Sequence, residues 1–326
     1  MFIKLFFTVL SIFLMMFLGV IARKVGLFDT NTIRQMSYVN IRFFYPALIF
    51  SSLVSNFTGK TLLANSNLPL GTIIIMSSGY LYGLLFSKIM SFADQKEKDS
   101  FRFQCTINNY TFLPLPIVFM LWGNKGVALL IISSLGAEIC LWTIGILSLT
   151  GNRFSKTSLK NILSVPLITI VFSFFVITIR DYLLSNNTLS AFVTNPVFSQ
   201  FGNSFISALD ICGKAAVPVA MLIVGGRISD LVWKHIFTLK QIYLSIIRLV
   251  VIPATSLAIF YCLPFEKNIN LVLAVVAIMP SAVVTVALSE VYDSDVKFSA
   301  TGVLTTHLFS LITLPVWLYV IINYIH

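Results

Sequence analysis

Charged residues are scarce in this sequence. Only 10% of its 326 residues are Asp, Glu, Lys or Arg, whereas 57% are hydrophobic. A soluble globular domain carries about 25% charged residues, so this chain lacks the polar surface that a water-exposed protein needs. The shortage argues against a soluble enzyme and against a nucleic-acid-binding protein. The net charge of +10 instead points to membrane orientation, because Lys and Arg resist translocation across a bilayer.

Cysteines and common catalytic motifs are scarce as well. The four cysteines, Cys105, Cys140, Cys212 and Cys262, lie in or beside apolar segments and form no CxxC pair. Close spacing of that kind marks most metal and redox sites, so we expect these residues to be small, buried and apolar in role. The sequence has no P-loop and no HExxH motif, and we expect no ATP drive, no metal and no organic cofactor.

Long apolar runs are what the sequence has in abundance. A membrane-spanning helix needs about 20 apolar residues, and ten such segments fill the chain without room for a separate soluble domain. The segments are 2–22, 36–55, 68–90, 101–122, 126–149, 161–183, 204–226, 238–262, 270–291 and 298–323. The fold is therefore predicted to be an all-α polytopic membrane protein with ten transmembrane helices. The densest charge run, residues 94–99, is expected to be a solvated loop.

The Lys and Arg residues divide unequally between the two sides of this predicted topology. Of the 22, fourteen follow odd-numbered spans, five lie on the opposite side and three lie inside spans. The fourteen are Arg23, Lys24, Arg34, Lys88, Lys96, Lys98, Arg102, Arg153, Lys156, Lys160, Arg227, Lys234, Lys240 and Lys297. Because the positive side is cytoplasmic, both termini are predicted to lie outside the cytoplasm, in a multi-pass protein of the plasma or inner membrane.

A weak internal repeat relates the two halves of the chain. Arg42 and Lys214 each lie four residues before a proline, at an offset of 172, and residues 121–124 resemble residues 291–294 at an offset of 170. A repeat of five spans is odd, so the second copy must be inverted in the membrane. The two predicted repeats are residues 1–150 and residues 151–326. Inverted repeats are typical of secondary transporters, whose sites lie at the repeat interface.

Spans 4 and 9 carry helix-breaking residues at matching positions. Span 4 contains two adjacent Asn residues followed by two prolines, and span 9 contains a Met-Pro-Ser sequence. Proline removes a backbone donor, and non-helical backbone within a membrane is tolerated only inside protein or beside a water-filled cavity. Paired breaks point to a transport site, although ordinary proline kinks are the alternative. The candidate substrate-binding residues are Asn108, Asn109, Tyr110, Pro114, Pro116, Met279, Pro280 and Ser281.

Four motifs in order resemble those of the auxin efflux carrier family, which is related in fold to the bile acid–sodium symporters. Residues 109–116, Asn-Tyr-Thr-Phe-Leu-Pro-Leu-Pro, resemble its Asn-x-x-Phe-Leu-Gly-Leu-Pro crossover segment, with Pro114 in place of the usual Gly. Residues 218–226, 279–282 and 310–315 resemble its seventh, ninth and last spans. The resemblance covers essentially the whole chain.

The resemblance implies an architecture and a class of substrate. Spans 1, 2, 6 and 7 would form a scaffold, and spans 3–5 and 8–10 a moving transport domain in which spans 4 and 9 cross at their breaks. Plant members of the family export an auxin carboxylate, and bacterial relatives are associated with malonate or malate. A homodimer through the scaffold is expected from the resemblance alone.

Several ionisable residues lie within predicted spans, where they are costly and are often functional. Glu138 in span 5 and His307 in span 10 can each change protonation state and carry a coupling proton, or can make structural hydrogen bonds. Asp210 and Lys214 can neutralise each other at i,i+4; alternatively, Lys214 and its repeat mate Arg42 face an anionic substrate. Arg248, also within a span, has no acid near it in the sequence, and its role is left open.

The function predicted from these features is secondary active transport of a small organic anion by alternating access. The partners expected are this anion and the lipid bilayer, with H⁺ or Na⁺ as the coupling ion and no nucleic acid. The alternatives are a sodium-coupled uptake carrier of the bile acid symporter type and a non-transporting membrane receptor. An intramembrane enzyme and a channel are further alternatives, although no cluster of acidic or His residues marks a catalytic site.

Overall fold

The regular structure of the chain is helical. A computed structural model describes residues 2–151, 164–185, 195–229 and 237–324. Within these residues the elements are α-helices and short π-helical turns, with one isolated β-bridge between Asn108 and Ser281. The predicted all-α class is confirmed. Of the cytoplasmic cations predicted from the sequence, Arg153, Lys156, Lys160 and Lys234 lie outside the described residues.

The described residues of the first half, 2–151, form eight α-helices. They are α1 (Phe2–Lys24), α2 (Thr30–Val39), α3 (Tyr45–Asn56), α4 (Gly59–Ala64), α5 (Asn67–Phe86), α6 (Gln95–Thr106), α7 (Pro114–Cys140) and α8 (Ile146–Thr150). Helices α2 and α3 are continuous through a π-helical turn at Asn40–Phe44, and α7 and α8 through another at Leu141–Gly145.

The second half forms another eight helices in the described residues. They are α9 (Val165–Ser185), α10 (Pro196–Lys214), α11 (Ala216–Ser229), α12 (Leu239–Ile246), α13 (Ile252–Cys262), α14 (Lys267–Ala277), α15 (Val284–Val291) and α16 (Val296–Tyr324). A π-helical turn at Ile247–Val251 joins α12 to α13.

Six stretches of the described residues are long and apolar enough to cross a membrane. They are Gly59–Phe86, Pro114–Thr150, Val165–Ser185, Pro196–Arg227, Leu239–Cys262 and Val296–Asn323. The second stretch has 37 residues, and as a straight helix it would measure roughly 55 Å, well beyond the ~30 Å of a hydrocarbon core. Gly123 interrupts it with a positive φ of 62°, which turns the chain between two segments. The protein is therefore a multi-pass membrane protein.

The predicted loop at residues 94–99 is wrong, because this charge run begins helix α6. The Asp94 carboxylate accepts the backbone N–H of Glu97 at 2.8 Å, an N-cap that supplies one of the partners missing at a helix start. The Glu97 carboxylate in turn accepts the Lys240 ammonium at 2.6 Å. Charge density at this position therefore reflects helix capping and an ion pair to α12.

Proline residues explain two of the helix irregularities. Pro46 and Pro253 each follow a π-helical turn, at Asn40–Phe44 and Ile247–Val251. Because proline cannot donate to the carbonyl four residues earlier, the chain widens locally to i→i+5 bonding.

The four cysteines are free thiols. Cys105 and Cys140 are buried as expected, whereas the prediction of burial is wrong for Cys262, which is exposed at the end of α13.

Small residues allow α1 and α11 to pack closely. A Cβ atom built on Gly225 would lie 1.8 Å from the Met16 carbonyl oxygen, and one built on Gly19 would lie 2.2 Å from the Leu222 carbonyl oxygen. Close approach of this kind is how membrane helices gain packing energy without a hydrophobic driving force. The two helices therefore form one fixed seam.

The seam predicts a contrast between two glycine substitutions. Gly225→Ala should lower the free energy of unfolding by about 1–3 kcal/mol, because the added methyl overpacks the contact. Gly202→Ala on α10 should leave stability unchanged or raise it by up to about 1 kcal/mol, because Ala favours helix and nothing lies within 4 Å of the new Cβ. Thermal denaturation of the purified variants in detergent measures both, and equal melting temperatures would contradict the close seam.

Candidate functional site

Two helices are broken where the sequence carries its paired prolines. Residues 107–113 separate α6 from α7, and residues 278–283 separate α14 from α15; neither stretch is helical. Pro114 occupies the first position of α7, where a missing N–H costs nothing because that group has no helical partner. The interruptions are therefore helix breaks and not proline kinks.

The two breaks cross and pair through their backbones. The Asn109 N–H donates to the Pro280 carbonyl at 2.7 Å, and the Ala282 N–H donates to the Ile107 carbonyl at 3.1 Å. These bonds flank the antiparallel bridge between Asn108 and Ser281. Each break thus satisfies polar groups that the other leaves unpaired within the membrane.

Side chains of the two breaks extend this pairing. The Asn108 side-chain amide donates to the Val276 carbonyl at the end of α14, and the Ser281 hydroxyl donates to the Gln104 carbonyl near the end of α6 at 3.0 Å. Ser281 follows Asn108 by 173 residues and Val276 follows Gln104 by 172 residues. The two contacts are therefore equivalent under an offset close to that of the internal repeat.

Arg248 is the buried charge beside the crossing. Its side chain is fully buried and donates to three carbonyl oxygens: Cys105 at 2.9 Å, Ala277 at 3.0 Å and Met279 at 3.2 Å. Carbonyls at a helix C-terminus lack helical donors and carry partial negative charge. Arg248 therefore binds the C-terminal ends of α6 and α14 together.

A second polar cluster joins the first break to neighbouring helices. The Tyr110 hydroxyl donates to the partly buried Glu138 carboxylate of α7 at 3.0 Å, and the Ser164 hydroxyl lies 3.5 Å from the same carboxylate. The Tyr45 ring of α3 lies 5.7 Å from the Phe112 ring. Glu138 thus makes a structural hydrogen bond, one of the two alternatives considered from the sequence, and makes it to the broken segment.

His307 lies apart from this cluster on α16. Its side chain is buried, and Nδ1 lies 2.8 Å from the Val303 carbonyl oxygen. The Nε2 atom has no hydrogen-bond partner among the described residues. Because a neutral imidazole that donates through Nδ1 keeps Nε2 as an acceptor, His307 has one free acceptor site.

The other charge candidates lie away from the crossing. The Lys214 ammonium contacts the Asp210 carboxylate at 2.7 Å, which is the i,i+4 pair that the spacing indicates. Arg42 is exposed, and its guanidinium lies over the Tyr38 ring at 5.1 Å from the centroid. Asp210 also lines a cavity of about 260 Å³ with Ser51, Ser52, Ser207 and other residues of α3 and α10.

The structure therefore separates the candidates named from the sequence into groups. Those at the crossing are Asn108, Asn109, Met279, Pro280 and Ser281, with Pro114 and Pro116 buried in the first turn of α7. Tyr110 and Glu138 form the adjacent cluster. The sequence did not assign a role in the site to four residues that the structure places there. They are Gln104, Tyr45, Ser164 and Arg248, whose guanidinium donates to carbonyl oxygens. The sequence does carry a signal for Arg248. It is a cation inside an apolar run with no acid near it, and such a buried cation needs other acceptors, such as backbone carbonyls.

Comparison with known proteins supplies a family and two relatives. The model of a family described as membrane transport protein matches residues 4–160 and 153–318. An uncharacterized transporter of Methanocaldococcus jannaschii is 25% identical over 97% of this chain and 98% of its own length. An uncharacterized transporter of Methanothermobacter thermautotrophicus is also 25% identical, over 95% of this chain and 96% of its own.

The pairing of the breaks predicts a stability effect at Asn108. Asn108→Leu should lower the free energy of unfolding by about 1–3 kcal/mol, because the buried Val276 carbonyl loses its side-chain donor. Asn65 is the matched control, since its amide also donates to a backbone carbonyl, that of Thr61, but at the surface. Asn65→Leu should change stability little because water replaces the donor. Thermal denaturation compares the two, and a tolerant Asn108 would argue against the crossing.

Proposed function

The chain belongs to the membrane transport protein family, which includes the auxin efflux carriers that its motifs resemble, and from that premise we propose that it is a secondary active transporter of a small organic anion. The substrate class is a carboxylate, such as an auxin-like acid, malate or malonate. Transport proceeds by alternating access. The observation that carries the proposal is the crossing of two broken helices, an arrangement that forms substrate sites in secondary transporters.

The proposed architecture is ten spans in two inverted repeats. The spans are α1, α2 with α3, α5, α6 with the start of α7, the rest of α7 with α8, α9, α10 with α11, α12 with α13, α14 with α15, and α16. The bonds at the crossing support the repeat, because the equivalent donors of the two halves are 173 residues apart and the equivalent acceptors are 172 or 173 residues apart.

The two repeats divide into a scaffold and a transport domain. The α1–α11 seam lies within the proposed scaffold of spans 1, 2, 6 and 7, and the crossing lies within the proposed transport domain of spans 3–5 and 8–10. We place both termini outside the cytoplasm, in the plasma or inner membrane, because most Lys and Arg residues then face the cytoplasm. A homodimer would form through the scaffold.

The substrate is proposed to bind where the crossing meets the scaffold. Helices α7 and α15 start at the breaks, and the positive ends of their dipoles favour a carboxylate there. The Asn109 side chain lies at the start of α7, where its oxygen accepts the Leu113 N–H at 3.3 Å, and its amide group can donate to the substrate. The contact of Tyr45 with Phe112 brings the scaffold to the same position.

A proton is the proposed coupling ion, with Glu138 as its carrier and His307 as the alternative. Glu138 is hydrogen-bonded to Tyr110, which lies in the first break next to Asn109. A change in the protonation of Glu138 would change its hydrogen bond with the Tyr110 hydroxyl. The position of the broken segment that binds the substrate would change with it. His307 contacts no element of this segment through a described hydrogen bond, and Glu138 is therefore the first choice.

The substrate proposal is tested with Asn109→Ala. A thermal-shift screen of the purified protein against mono- and dicarboxylates identifies a ligand, since specific binding stabilises by mass action. In proteoliposomes the variant should carry this ligand at least about tenfold more slowly, the effect of losing about one charge-assisted hydrogen bond.

The control is Asn65→Ala, which removes a surface amide and should transport normally. Normal flux through Asn109→Ala at equal protein incorporation would argue against a site at the crossing. Ligand binding without flux in the wild type would favour a receptor, and large non-saturating currents would favour a channel.

The coupling proposal is tested with an imposed pH gradient. Flux of the identified ligand should respond to the gradient in the wild type and should lose that response in Glu138→Gln, because the amide cannot exchange the proton. Glu290→Gln is the matched control, since Glu290 is exposed at the end of α15, and it should respond like the wild type. A fully responsive Glu138→Gln would transfer the role to His307 or remove it.

A further inference from the structure

The C-terminal ends of two broken helices meet at Arg248. Helix α6 ends at Thr106 and helix α14 at Ala277, and their last carbonyls point negative charge into the crossing. In transporters built on discontinuous helices, such unwound carbonyls and half-helix C-termini coordinate the coupling cation. The crossing therefore has the donor chemistry of a monovalent cation site, and the fit of a cation depends on whether these oxygens are free.

Seven backbone carbonyl oxygens at the crossing have donors from the protein. Two side chains donate to carbonyls: the Ser281 hydroxyl to that of Gln104 and the Asn108 amide to that of Val276. Two backbone N–H groups donate as well, from Ala282 to the Ile107 carbonyl and from Asn109 to the Pro280 carbonyl. The carbonyls of Cys105, Ala277 and Met279 are the ligands of Arg248. A sodium ion at the crossing is disfavoured by the positive charge of Arg248, although two buried side-chain oxygens, Gln104 Oε1 and Asn108 Oδ1, have no hydrogen-bond partner among the described residues.

We propose that the Arg248 guanidinium takes the place of a coupling cation at the crossing, so that this transporter binds no sodium there. The inference deepens the proposed function by addressing its coupling ion. A guanidinium has five N–H donors in a fixed plane, and Arg248 directs three of them to carbonyls of the two helix ends. Its positive charge offsets both negative helix termini permanently, as a bound cation would do only transiently.

The symmetry of the contacts supports this assignment. Cys105 and Ala277, two of the three ligands, are 172 residues apart, the same offset that relates Gln104 to Val276. Arg248 thus binds equivalent carbonyls from the two halves. Arg248 lies on the π-helical turn between α12 and α13, outside both breaks, so one residue serves two helix ends. A fixed cation at this position argues against a sodium-coupled carrier whose sodium site is at the crossing, and it agrees with the proton proposed above.

Melting temperatures in sodium chloride and in N-methylglucamine chloride, at equal ionic strength, test the inference without any transport substrate. The wild type should melt at the same temperature in both salts. Arg248→Ala should melt on the order of 10 °C lower in N-methylglucamine, because three buried carbonyls and two helix ends lose their cation. Sodium should recover part of that loss by binding the freed oxygens. Arg248→Lys keeps the charge and should show no sodium effect.

Arg34→Gln is the control for loss of a charge, because Arg34 is exposed and contacts Asn31 at the surface. Saturable stabilisation of the wild type by sodium would overturn the proposal. So would an Arg248→Ala variant that melts like the wild type, or one whose loss sodium does not recover at all.

If Arg248→Ala does not accumulate, the wild type and Arg248→Lys still decide, since sodium should stabilise neither and a sodium effect on either would contradict the proposal. Failure of carboxylate transport would count against the proposed function. The melting temperatures would still decide whether sodium binds at the crossing, because they need no transport substrate.

Discussion

Backbone groups released inside a membrane must find partners within the protein, because the bilayer core offers none. Two helix breaks in this chain release such groups, and each break supplies hydrogen-bond donors to carbonyls of the other half. The bonds, donor first, are Asn109 to Pro280, Ala282 to Ile107, Asn108 to Val276 and Ser281 to Gln104. Arg248 supplies donors to three further carbonyls. The positions of α6, α7, α14 and α15 follow from this mutual satisfaction, since none of their broken ends is stable alone.

The crossing and the α1–α11 seam are held together by different interactions. Glycines bring α1 and α11 to within backbone contact, a packing that permits little relative movement. The crossing is held by hydrogen bonds and by one buried cation, with polar groups concentrated in its interior. Between them lies the contact of the Tyr45 ring with the Phe112 ring, whose centroids are 5.7 Å apart. The alternating access proposed above requires one interface that can move, and this contact joins the helix break to α3.

Much of this arrangement could be predicted from the sequence, and the rest depends on contacts between distant segments. Hydropathy locates the apolar segments, and the prolines with Asn108 and Asn109 locate the breaks, because these signals are local. The ligands of Arg248 lie 29 to 143 residues away in the chain, so no local pattern reveals them. The run at 94–99 misleads because capping carboxylates and loop carboxylates have the same composition. Burial of Cys262 is mispredicted because an apolar neighbourhood does not distinguish lipid from core.

The offset of about 170 residues between the paired breaks has a consequence for biogenesis. When the first half of the chain has entered the bilayer, the carbonyls of Gln104 and Cys105 and the amide of Asn109 still await partners from Ser281, Arg248 and Pro280. The first half is therefore inserted before it can be completed. Its polar break must be shielded by water, lipid headgroups or the insertion machinery until the last helices are made, and assembly of the crossing is a late, post-insertion step in folding.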